Sequence, residues 1–145
     1  MRLFLLLCLL LNLSNVVAED KKDPAAEELK RFQGTWQLIK AEADGKVMAP
    51  EVADKIRVTI KGNKHTVTFG TDTLAKDITF RVDPTRKPSE VTDTLPDGKE
   101  IKGIYRLEGD MLTSCVGGVD KERPKEFSGK EGSGQTLRVF RRVKP

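Results

Sequence analysis

Polar and apolar residues alternate along most of this chain. Ile56, Val58 and Ile60 interleave with Arg57, Thr59 and Lys61, the period of two expected of a strand with one buried face. Gly62-Asn63 supplies a two-residue hairpin turn, and Val67 and Phe69 return between Thr66 and Thr68. Ile78, Phe80 and Val82 repeat the pattern up to Asp83-Pro84. A weaker strand centres on Val91 and stops at Pro96-Asp97-Gly98. Ile101, Gly103, Tyr105 and Leu107 form the next inner face, Gly109-Asp110 turns the chain, and Leu112, Ser114 and Val116 come back. The last strand carries Leu137, Val139, Arg141 and Val143 on one side. The period differs at the start. Asp23 is placed to cap a helix with Pro24 at its first position, Glu27 and Glu28 lie early, and Lys30 and Arg31 lie in the last turn. This helix buries Leu29 and Phe32, and Gly34 is expected to end it in a left-handed conformation.

With residues 35–43 as the first, the strands number eight in simple succession, and a second short helix is expected near 50–55. The predicted fold is all-β: an eight-stranded antiparallel up-and-down barrel preceded by a short N-terminal helix. Parity places the tight turns at one end, beside the helix, and the long connections 44–55 and 117–135 at the other. An even number of strands lets the last pair antiparallel with the first, leaving no open edge. The rival is a Greek-key sandwich, which needs two full apolar inner faces. The turns I-K-G-N and L-E-G-D share chemistry without requiring a duplication, and K-E-G-S-G-Q near the end reads as a flexible linker.

Composition sharpens this picture. Of 145 residues, 37% are apolar and 33% charged, but the leucines crowd the first thirteen positions. Arg2, an apolar run over 3–13 and Val16-Val17-Ala18 form a secretory signal over 1–18, too short to span a bilayer as an anchor. A charged stub covers 19–22, and the barrel domain covers 23–145. Beyond the leader, Leu, Ile, Val and Phe make up only about a fifth of the chain, which excludes a large dry core. Cys8 lacks the small preceding residue that lipidation requires. Cleavage would leave Cys115 alone, with no intramolecular disulfide, as a small buried hydrophobe. The protein is therefore expected outside the cytoplasm, secreted or periplasmic, with no stable membrane anchor.

Gly34-Thr35-Trp36, just after a short helix, resembles the G-x-W signature of the lipocalins. In that superfamily the tryptophan closes one end of the barrel and an arginine late in the last strand packs across its ring. The resemblance implies a structural closure by Gly34, Trp36 and Arg141, with Arg142 as the alternative if a bulge shifts the register. More narrowly, the chain resembles a lipocalin-like domain family of uncharacterised function found in secreted proteins of planctomycete bacteria. The likeness is carried by Phe32-Gln33-Gly34-Thr35-Trp36, Thr59-Ile60-Lys61-Gly62-Asn63, Val82-Asp83-Pro84 with Lys87-Pro88, Gly103-Ile104-Tyr105, and Arg123-Pro124 with Phe127. Thr92-Asp93-Thr94 departs from the family, which often has an aspartate followed by an apolar residue there.

The candidate chemistry is sparse. His65 is the only histidine, which excludes a multi-histidine metal site; a serine triad could use only this residue, which lies next to a hairpin turn, and no serine carries a nucleophile motif. The sequence therefore predicts no catalytic residues, no metal site and no cofactor. A basic pI of about 9.1 and the cluster Arg138, Arg141, Arg142 and Lys144 raise nucleic-acid binding. The net charge of +4 is small, the charges are mixed in sign, and no stacking aromatics accompany them, so no nucleic-acid partner is expected. Two readings remain. In the first, a small apolar molecule binds inside the barrel against Val58, Ile60, Val67, Phe69, Phe80, Tyr105, Leu112 and Val139. In the second those residues fill the interior, and the loop around Arg123 to Phe127 touches an extracytoplasmic protein or wall polymer, in the manner of an inhibitor. Tyr105 is either a satisfied core tyrosine or a polar anchor for the ligand.

Overall fold

A computed structural model describes residue 18 and residues 20–145, so the signal expected over 1–18 lies, apart from Ala18, outside the described residues, as does Glu19 of the stub. Helix α1 (Pro24–Phe32) opens as its sequence dictates, with the Asp23 carboxylate accepting from the Ala25 N–H at 3.1 Å. The rest is sheet: β1 (Gly34–Ala43), β2 (Lys46–Val47), β3 (Ile56–Lys61), β4 (Lys64–Phe69), β5 (Asp72–Asp83), β6 (Ser89–Thr94), β7 (Glu100–Glu108), β8 (Met111–Val119) and β9 (Thr136–Arg142). A single turn of helix, α2 (Pro50–Ala53), falls within the first long connection. Strand β2 is a two-residue spur on the end of β1. The other eight strands pair antiparallel in chain order, and β9 closes onto β1 from Trp36↔Arg142 to Ala43↔Thr136. The expected up-and-down barrel is the observed one.

Helix α1 lies across the end that carries the tight turns. Gln33 ties it there: its Oε1 accepts from the Gly62 N–H at 2.8 Å, and its Nε2 donates to Gly62 O at 3.0 Å and Leu29 O at 2.8 Å. The helix does not end as predicted. Gln33, in extended conformation, is the cap, and Gly34 begins β1 with φ +115°, a conformation that disfavours any side chain. The orphan carbonyls at the helix end are taken by side chains from the barrel instead. Trp36 Nε1 donates to Phe32 O at 2.8 Å, and the Arg142 guanidinium donates to Arg31 O at 2.6 Å and to Gln33 O.

Strand β5 starts six residues before Ile78, where the alternation gave no sign of it. The register with β4 shifts on both sides of Val67, Asp77 sits at φ +51°, and Leu74 points into solvent.

The last strand faces the other way from the prediction. Arg138, Phe140 and Arg142 point inward, while Val139 and Arg141 lie on the outside. The reason is a second apolar layer outside the barrel. The long connection after β8 folds back over the wall of β7, β8, β9 and β1, placing Pro124 and Gly129 in buried positions. Beneath it Ile104 is 1% exposed and Cys115 is fully buried, its thiol donating to Ser128 O at 3.4 Å. Burial raises the Cys115 pKa above the usual thiol value. Leu137, directly opposite Cys115, belongs to this outer layer.

Candidate functional site

The base of the barrel is closed by packing that the sequence partly foretold. Trp36 is fully buried, with the Arg142 guanidinium 4.2 Å from its ring centre. Arg142, not Arg141, is the closing arginine. Trp36 stands directly opposite Arg142 in the β1–β9 register, ahead of a bulge between Leu38 and Lys40, and Arg141 is exposed on the other face of β9. Arg142 is further fixed by Asp110, which accepts from its Nε at 3.1 Å. Phe32 meets Tyr105 edge-on with centroids 5.0 Å apart and reaches Phe80 at 6.0 Å. The Tyr105 hydroxyl points to the helix, donating to Glu28 at 3.1 Å, so it is a satisfied core tyrosine whose ring alone lines the interior.

Above this floor lies a cavity of about 80 Å³. Val58, Ile60, Val67, Phe80, Tyr105 and Leu112 line it as the pattern predicted. Phe69 and Val139 do not. Phe69 sits at the end of β4 beneath the Lys55 ammonium, 5.8 Å from its ring centre, and Val139 is on the outer face. In their place the wall carries four polar side chains: His65, Asp93, Ser114 and Arg138.

His65 Nε2 lies 3.1 Å from the Asp93 carboxylate, both side chains being largely buried. Arg138 extends along Phe140, its guanidinium carbon 5.8 Å from the ring centre. Desolvation lowers the Arg138 pKa, opposed by the nearby carboxylate of Asp93 and by Cys115. Among the described residues no ion pair within 4 Å involves Arg138. Hydropathy could not have placed this arginine inside, since it sits between Leu137 and Val139, whose burial comes from outside the barrel. Ser114 was legible from the alternation. Asp93 marks the place where the sequence departs from the family it resembles.

Arg123 and Phe127, the expected contact residues of the long loop, are engaged within the molecule. The Arg123 guanidinium donates to Val91 O at 2.7 Å, Gly103 O at 2.6 Å and Thr92 Oγ1 at 2.9 Å. Arg106 covers the Phe127 ring at 5.0 Å.

A closed antiparallel barrel with a helix across its base and a tryptophan under an arginine at the seam is lipocalin-like in architecture. The chain matches no protein-family model and no curated protein sequence.

Proposed function

We propose that this chain is an extracytoplasmic binding protein, exported by its first 18 residues and related to the lipocalin-like family its motifs resemble, which holds a small molecule inside the barrel. Binding, not catalysis, is the proposed role. One observation carries the reading: the interior is not filled by its own side chains but keeps a cavity of about 80 Å³ over an aromatic floor. A cavity of about 150 Å³ accommodates benzene, so about 80 Å³ limits the enclosed part of the ligand to roughly half a dozen heavy atoms. The docking alternative retains only the exposed members of the long loop, such as Lys121, Glu122, Lys125 and Glu126, because Arg123 and Phe127 serve the fold.

Native mass spectrometry of protein purified from its own host tests the proposal. A small molecule is expected on most copies. Val67→Phe, which fills the cavity from the wall, is expected to lose it while retaining the fold by circular dichroism. Empty wild-type protein that captures a host protein would support docking instead.

A further inference from the structure

Three polar atoms in the cavity wall are sealed from water without a hydrogen-bond partner: Arg138 Nε, Ser114 Oγ and His65 Nδ1. Two of them are neighbours. Arg138 and Ser114 are directly opposed across β9 and β8 and both point inward, so their side chains stand side by side on one wall. An Arg Nε–H can only donate, and a serine hydroxyl donates readily, so the pair presents donors that meet no acceptor within hydrogen-bond distance. An unmade hydrogen bond from a buried guanidinium is among the costlier features a fold can carry. Asp93 does not meet this need. Its carboxylate is held by His65 at 3.1 Å and makes no ion pair within 4 Å of Arg138 among the described residues, so it balances charge through space while leaving the guanidinium available. Beside the donors the wall is aromatic, with Phe80 and Phe140 facing the same space.

We infer that the cavity selects a small organic carboxylate, whose oxygens accept from Arg138 Nε and Ser114 Oγ while a body of a few carbons lies against Phe80 and Phe140. The acid group is set by the unmatched donors, and the carbon body by the aromatic wall and the 80 Å³ limit. A carboxylate is favoured because it is acceptor-only and carries the opposite charge. This rests on reading the barrel as a ligand site, and the test separates the two claims.

Trp36 is the only tryptophan and lines the cavity, so its fluorescence reports binding. The full-length protein, after leader removal, is titrated with butyrate, with its neutral counterpart 1-butanol, and with nitrate, a planar anion lacking a carbon body. Butyrate is expected to bind at least ten-fold tighter than either. Arg138→Met is expected to bring butyrate and 1-butanol to equal affinity, and Ser114→Ala to weaken butyrate several-fold with 1-butanol unchanged. If 1-butanol binds as well as butyrate, the barrel takes ligands but the donors are satisfied by water, and the inference falls while the function stands. Equal binding of nitrate and butyrate makes the site one for any small anion and also overturns it. If none of the three perturbs Trp36, the carboxylate inference falls, and the ligand-site reading is decided by the native mass spectrum. Folding is checked separately: Arg138→Met removes a buried charge and should melt at or above the wild-type temperature.

Discussion

Tyr105 divides its work between two neighbours. Its ring packs on Phe32 in the floor and its hydroxyl reaches Glu28 of α1, so one residue joins the helix to the barrel. Burial, then the Glu28 carboxylate, raises its pKa above the ordinary tyrosine value. The unfolded chain therefore loses this proton first as pH rises. The contribution of Tyr105 is fully present below about pH 10 and is lost as the pH climbs through the folded-state value. Urea titrations between pH 8 and 11 should show wild-type stability declining at the alkaline end, and Tyr105→Phe should flatten that decline at the cost of the Glu28 hydrogen bond. The seam offers a sharper contrast. Arg142 stacks on Trp36, bonds two carbonyls at the helix end and pairs with Asp110, whereas Arg141 faces solvent. Arg142→Ala should cost about 2–4 kcal/mol in chemical denaturation, combining the lost cap, ring contact and hydrogen bonds. Arg141→Ala should stay within about 0.5 kcal/mol of wild type. The arginine pair was visible in the chain; which member seals the barrel was decided by the facing of β9, which turns Arg142 inward with Arg138 and Phe140.

Among the elements, the loop between β8 and β9 departs furthest from its composition. Its K-E-G-S-G-Q stretch reads as a flexible linker, yet the Gly132 N–H there donates to Asp44 at 2.7 Å, and the preceding residues are pinned at Arg123, Pro124 and Ser128 as an outer cover over β7, β8, β9 and β1. Gly129 marks its closest approach. A Cβ there would lie 2.2 Å from the carbonyl oxygen of Glu42, a clash with backbone that cannot be relieved without moving the loop. Gly129→Ala should lift the cover and make native Cys115 react readily with a thiol reagent, whereas in the wild type the buried thiol reacts only on unfolding. Unchanged labelling would show that the loop is not the barrier. The same cover explains the misreading of β9. Alternation reports which face of a strand is dry, but here both faces are, and the apolar residues Leu137 and Val139 belong to the outer one.

For the molecule as a whole, closure governs everything else. β9 is held by β8 on one side and β1 on the other, so no long edge is left among these eight strands. A chain ending at residue 135 should lose cooperative unfolding and self-associate in sedimentation experiments, since β1 and β8 would both present unpaired backbone. The local information in the chain was enough to settle the helix and its start, the tight turns, the succession of strands and six of the residues lining the cavity, because turn chemistry and period-two patterning act over a few neighbouring residues. The direction of β9, the choice of Arg142 and the gathering of His65, Asp93, Ser114 and Arg138 around one cavity belong to the assembled barrel. They depend on register between strands distant in sequence and on a loop packed over the outside, and neither leaves a mark in the local alternation of polar and apolar residues.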